Sequence, residues 1–147
     1  MFSFKDIVRG TPFNVREIVC GTMALNDSGQ ILLVQEKKLL PHIVFGFPKG
    51  HMTMNDYDAI GTAKRELYEE TGITDVEYSF PILRFNNTNN KTVTLLFAAR
   101  YHGNNKICID ENEIVTAKWV TYEEFRDLVS FGYVSRITET VFHQLQS

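Results

Sequence analysis

The stretch Arg65-Glu66-Leu67-Tyr68-Glu69-Glu70-Thr71-Gly72-Ile73 (RELYEETGI) sets three glutamates at i, i+3 and i+4, just ahead of a glycine. On a helix this spacing brings all three carboxylates out on one face. Upstream, Ala59, Ile60, Ala63 and Leu67 recur at helical spacing, and Gly72 stands where a C-cap belongs. The spacing predicts a helix from Tyr57 to Thr71, with the carboxylates beside its apolar stripe and Asp56 or Asp58 at its N-cap.

Local helix physics opposes this arrangement. Like charges at i,i+4 cost a few tenths of a kcal/mol, and the C-terminal end of a helix is the negative end of its dipole. Two compensators are available: Arg65, four residues before Glu69, and a hard divalent cation, which takes clustered oxygen ligands. Magnesium or manganese bound this way keeps waters and shares phosphate oxygens with a substrate. Three glutamates alone favour a plainer alternative, a solvated acidic face, so the surrounding residues decide.

Outward from the helix, Val15 to Ala24 is rich in β-branched and apolar residues, Asn26 to Gly29 has turn chemistry, and Ile31 to Val34 resumes the apolar run. These predict a β-hairpin. A short extended piece surrounds Phe45-Gly46-Phe47. Val76 to Phe85 and Thr92 to Tyr101 read as strands across the turn Asn86–Asn90, and Ile114 to Val120 as another. Thr121-Tyr122-Glu123-Glu124 is a capping box opening a helix through Val129, and a last amphipathic helix starts at Ser135. Several strands, one internal helix and two C-terminal helices make a mixed α/β or α+β domain.

A chain of 147 residues with 44% hydrophobic and 22% charged residues suits one globular domain, residues 1–147. A net charge of −3 offers no polybasic footprint, so no long nucleic acid tract is expected. Neither a signal peptide nor a membrane span is read at the N-terminus, which makes a cytoplasmic location and no membrane partner the expectation. Cys20 and Cys108 lack CxxC spacing and read as two buried thiols.

The run Arg65 to Ile73, with Phe47-Pro48-Lys49-Gly50-His51 upstream, resembles both halves of the signature box of the Nudix hydrolase superfamily (MutT-like). The Pro-Lys-Gly-His opening is similar to that of diadenosine tetraphosphate hydrolases within it. The resemblance implies an α/β/α sandwich with a mixed β-sheet over nearly the whole chain. It implies hydrolysis, dependent on Mg2+ or Mn2+, of a pyrophosphate bond in a nucleoside diphosphate linked to another moiety.

Carried over by position, the metal ligands would be Glu66, Glu69, Glu70 and the main-chain carbonyl near Gly50, with Glu113 as a ligand or base from outside the box and Glu111 behind it. Glu66 and Glu69 would be catalytic and Arg65 would orient them; which of Glu66, Glu69 and Glu113 takes the proton is left open. Lys49 and His51 would face the phosphates. Tyr101, Tyr133, Tyr122 and Phe131 are candidate platforms for a base. A dinucleoside polyphosphate is the leading small-molecule substrate; the 5′ end of RNA, ADP-ribose and nucleotide sugars are alternatives. A non-catalytic nucleotide-binding module is the alternative of another class.

The chain departs from the family's spacing at one place. Eight residues, Tyr57 to Lys64, separate Asp56 from Arg65 where the family's pattern has seven. The glutamate that usually stands there is replaced by Asp56, which is read as the helix N-cap in preference to a stand-in for that glutamate.

Overall fold

The computed structural model describes residues 17–86 and 91–146. Among these residues seven strands follow one another as β1 (Glu17–Leu25), β2 (Ile31–Glu36), β3 (Phe45–Gly46), β4 (Lys49–His51), β5 (Val76–Asn86), β6 (Thr92–Tyr101) and β7 (Ile114–Val120). Helix α1 (Ala59–Thr71) lies between β4 and β5, and α2 (Tyr122–Ser130) and α3 (Arg136–Leu145) end the chain. A 3-10 turn, Lys37–Leu39, follows β2. Val15 and Arg16 of the first predicted strand, and Asn87 to Asn90 of the predicted turn, lie outside the described residues.

The strands form one mixed sheet. β1 runs parallel to β6 along its whole length, from Glu17↔Thr92 to Leu25↔Arg100, and β5 lies antiparallel on the far edge of β6. The other edge of β1 is divided: β4 covers Val19 to Gly21, and β2 meets β1 only at Leu25↔Ile31. The predicted hairpin is therefore only partly realised. Its turn is present, with the Asn26 carboxamide oxygen accepting from the amides of Ser28 and Gln30. The strands then separate, because β2 is buried from Ile31 to Gln35 and takes central pairings with β7 and β3 instead.

Side-chain alternation along β6 supplies both cores. Val93, Leu95 and Phe97 pack with Ile18 and Cys20 against Ala59 and Ala63 of α1. Leu96, on the opposite face, joins the cluster of Phe125, Val141 and Phe142 from α2 and α3. Leu67 and Ile73 close a third cluster with Ala24, Leu32 and Tyr101 at the C-terminal end of α1. Among the described residues no helix is long and apolar enough to cross a membrane.

The caps follow the sequence with one correction. Gly72 takes φ 74° at the end of α1, Thr121 and Glu124 form the capping box of α2, and Ser135 caps α3. At the start of α1, however, the cap is Asp58, whose carboxylate accepts from the Gly61 amide at 2.7 Å, and the helix begins at Ala59. Cys20 is buried, and burial pushes its thiol up to about 12, which leaves it inert. Cys108 is exposed, contrary to expectation: its amide bonds Thr71 O at the end of α1, which holds this segment on the surface.

Candidate active site

The pleat of β4 divides the site. Gly50 is the register partner of Cys20, which packs toward α1, whereas Lys49 is the partner of Gly21 and so points to the opposite face. A Cβ on Gly50 would fall on the Glu66 carboxylate, so only glycine lets this carboxylate lie against the loop backbone. Gly50→Ala is expected to displace Glu66 and to lower turnover at least about tenfold with the fold retained, read by kinetics and circular dichroism.

Arg65 ties the loop to the helix. Its Nε and Nη2 donate to the two oxygens of Asp56 at 3.0 and 3.1 Å, and Nη2 also donates to His51 O at 3.0 Å. Its Nη1 donates to Glu66 at 3.0 Å and to Glu69 at 3.3 Å. Asp56 further accepts from the Thr53 amide and the Thr62 hydroxyl, each at 2.9 Å. Asp56 is thus not the N-cap; it is the fork that receives Arg65, and the longer loop still delivers a carboxylate to that arginine.

Burial alone pushes the Asp56 carboxyl up, but the hydrogen bonds from Arg65, Thr53 and Thr62 outweigh it and hold the group at about 2, below its ordinary 3.8. The stability this contributes is complete above about pH 4 and is lost as pH falls through 2. Asp56→Asn is expected to cost about 2–3 kcal/mol at neutral pH, because it leaves Arg65 without its main partner. Urea unfolding at pH 7 and pH 3 checks this: the gap between the two proteins should narrow at the lower pH.

Glu70 is the most constrained of the three glutamates. It is 2% exposed, its Oε1 has no hydrogen-bond partner among the described residues, and its carboxyl interacts with that of Glu66. Burial, then the neighbouring Glu66 carboxyl and its charge, push Glu70 up to about 9, while Lys49 opposes the rise. Glu66 is raised as well, chiefly by burial. Two carboxyls in this position share a proton unless a cation replaces it.

The donor set fits a hard divalent cation: it is all oxygen, includes an orphaned buried oxygen, and lies against a glycine cradle. Among the described residues no three His, Cys, Asp or Glu side chains already converge on one point as ligands. Glu69, 46% exposed, is turned toward Arg65.

Arg65, Glu66 and Glu70, but not Glu69, line a cleft of about 530 Å³, with Lys37, Lys38 and Lys49 also in its lining. Glu113 lines it too. Lys37 brings it there, its amide donating to Glu113 O at 2.8 Å and its Nζ to Glu111 O at 2.6 Å. Glu111 thus contributes its carbonyl. Glu36, which sequence reasoning missed, also lines the cleft, and its charge adds to the rise at Glu70. It follows a uniformly buried run, and the irregularity between Gln35 and Glu36 that turns it has no signature in the sequence.

Of the residues expected to meet substrate, Lys49 and His51 line the cleft. The His51 ring is directed to Glu17, 3.3 Å away. Tyr101 is corrected: it is 7% exposed and stacked on Trp119 at 5.3 Å in the core beneath the far end of α1. Tyr133 is corrected as well. It lies beside Phe131 on the α2–α3 connection, held by the bond from Phe45 N to Tyr133 O, and does not line the cleft. Tyr122 stacks on Phe142.

A NUDIX domain model matches residues 15–136. Nudix hydrolase 8 of Arabidopsis thaliana is 32% identical over 115 residues, which cover 74% of this chain and 30% of that protein. The chain therefore spans less than a third of the curated relative it matches. Among solved structures, a C. elegans Ap4A hydrolase in a binary complex matches with TM-score 0.68 at 17% identity, covering 87% of this chain and 95% of that one. The NUDIX domain of Shewanella oneidensis NrtR, complexed with ADP ribose, gives TM-score 0.68 at 16% identity, with 99% and 97% coverage. At such identities these two likenesses speak for the fold, an α/β architecture on a mixed sheet. The family model adds the sequence, and it spans the whole path from β1 to the start of α3 on which the glutamates, their arginine and the cleft are built: this chain belongs to the NUDIX domain family.

Proposed function

We propose that this chain is a pyrophosphohydrolase that cleaves a phosphoanhydride bond in a nucleoside diphosphate linked to another moiety, with a dinucleoside polyphosphate as its leading substrate. The observation that carries this reading is the Glu66–Glu70 pair, in which Glu70 is buried with an oxygen that has no partner among the described residues, in a cleft that lysines also line. Paired carboxylates with no cation between them have no structural benefit, whereas a divalent ion and a polyphosphate satisfy both sides of the cleft.

Glu66, Glu69, Glu70, the Gly50 carbonyl and Glu113 would hold Mg2+ or Mn2+. When bound, the ion supplies charge neutralisation on the phosphate oxygens and a more acidic water. Lys49 offers a point charge to the phosphates. Arg65 fixes Glu66 and Glu69 relative to the loop through its fork with Asp56. A water attacking phosphorus in line must give up a proton to a carboxylate oxygen; the exposure of Glu69 supports it as acceptor, with Glu66 and Glu113 as the other candidates.

The fold neighbours support a nucleotide as substrate, one being an Ap4A hydrolase and another holding ADP ribose. The test is phosphate or nucleotide release from diadenosine tetraphosphate, ADP-ribose, nucleotide sugars, nucleoside triphosphates and triphosphorylated RNA, with Mg2+ or Mn2+ and with EDTA. The expected result is the highest kcat/KM on diadenosine tetraphosphate, abolished by EDTA. Preference for another member moves the substrate class. Nucleotide binding with no turnover on any of them would make the chain a binding module.

A further inference from the structure

The cleft is a wedge between two strands that share one edge of β1. β2 meets β1 only at Leu25↔Ile31 and then diverges, while β4 takes the same edge farther back, at Val19 to Gly21. Carried on, the register of Leu25↔Ile31 would set Glu36 opposite Cys20, the place that Gly50 occupies. Glu36 therefore ends β2 level with the Gly50 cradle and across the wedge from it. Leu32, four residues earlier on β2, clusters with Leu67 of α1, so alternation along the strand sends Glu36 to the α1 side of the sheet.

The end of β2 is firmly anchored. Glu36 pairs with Ile114, and the next residue, Lys37, clasps the approach to β7 through Glu111 O and Glu113 O. That approach is itself a tight turn, in which the amides of Glu113 and Ile114 both donate to Asp110 O. The Glu36 side chain is only 20% exposed, yet its ion pair with Lys38 spans 3.8 Å and the Lys38 side chain is 74% exposed. So loose and solvated a pair offsets little of the cost of holding a carboxylate away from water. On the facing wall Glu70 is buried with an oxygen that has no partner among the described residues, and the charge of Glu36 reaches it. Two carboxylates that repel across a cleft are reconciled by a cation between them. Mg2+ is usually bound through one or two carboxylates, with waters and phosphate oxygens completing its shell, so one ligand from each wall is enough.

We propose that Glu36 is a further cation ligand of this site, and that one divalent ion spans the wedge from Glu70 on α1 to Glu36 on β2. The ion ties the β2–β7 side of the cleft to the α1 side, and a phosphate that shares it is held from both. This assignment deepens the pyrophosphohydrolase reading above and rests on Glu70 as a cation ligand; cation binding in the absence of nucleotide separates the two.

The test is titration of the full chain with Mn2+ alone, read by the paramagnetic resonance of the free ion, with melting curves in EDTA to establish that each variant is folded. Glu36→Gln and Glu70→Gln should each weaken Mn2+ binding at least about tenfold. The double variant should lose no more than about twofold beyond Glu70→Gln, because both carboxylates serve one ion. Glu123→Gln, which removes the same charge from the exposed start of α2, should stay within about twofold of the parent. Lys38→Met should bind Mn2+ no more weakly than the parent, since it removes a like charge from the cleft. Unchanged affinity in Glu36→Gln overturns the bridge, as do losses that multiply in the double variant. A loss in Lys38→Met equal to that in Glu36→Gln also overturns it, by making the Lys38–Glu36 pair structural. Loss in Glu70→Gln alone removes Glu36 and keeps Glu70 as a ligand; loss in neither removes both. Loss in both, in a chain that hydrolyses none of the substrates, keeps the bridge and removes the activity.

Discussion

Replacing Glu70 by glutamine is expected to stabilise the cation-free protein and at the same time to abolish most of its turnover. The native carboxyl is buried against that of Glu66 with an unpartnered oxygen. A glutamine amide can donate to Glu66 and carries no charge to desolvate, so the gain should be about 1–2 kcal/mol, or several degrees in Tm. On the proposed reading turnover should fall at least about a hundredfold, because Glu70 would be a cation ligand.

The pH dependence is a second readout of the same change. Glu70 is raised from its ordinary 4.5 to about 9, so the native protein keeps a proton that the unfolded chain has lost. The resulting stability is complete below about pH 4.5 and is lost as pH rises toward 9. Melting curves in EDTA should show this decline in the parent and a flatter profile in Glu70→Gln. Added Mg2+ should stabilise the parent far more than the variant. A lower Tm for the variant in EDTA would sink the account of Glu70.

Glu69→Gln separates chemistry from folding more sharply. The Glu69 side chain is 46% exposed, and its bonds from Arg65 are long, at 3.3 and 3.4 Å. Arg65 keeps its fork with Asp56 without it. Stability should therefore change by no more than about 0.5 kcal/mol, while turnover should fall by about a thousandfold or more if this carboxylate holds the cation or takes the proton. Parallel kcat and thermal-melt measurements decide it: near-normal kcat would remove Glu69 from both roles.

Local sequence carried much of this structure, and long-range geometry carried the rest. The end of α1 at Gly72 and the capping box at Thr121 depend on neighbours three or four residues away, and both were legible. Asp56 was misread because a short acidic residue before a helix serves equally as a cap or as a partner nine positions on; with Asp58 taking the Gly61 amide, Asp56 goes to Arg65.

Tyr101 and Tyr133 were misplaced for a related reason. Whether an aromatic ring meets substrate or core depends on which strand faces it, and Trp119 of β7 claims Tyr101. Glu36 was invisible because its place depends on an irregular pairing with a strand near the end of the chain.

The parallel union of β1 with β6 has a kinetic side. Hairpins can close as soon as their strands are made, but β1 must wait for a partner that lies beyond α1 and β5, and such distant pairings slow folding. β4, which carries Gly50, rests on β1, and α1 packs on β1 and β6 together. The carboxylates therefore gain their cradle only when this crossover is in place. On a growing chain, divalent ions would have nothing well formed to grip until β6 has emerged, so cation binding would consolidate a finished fold and would not nucleate it.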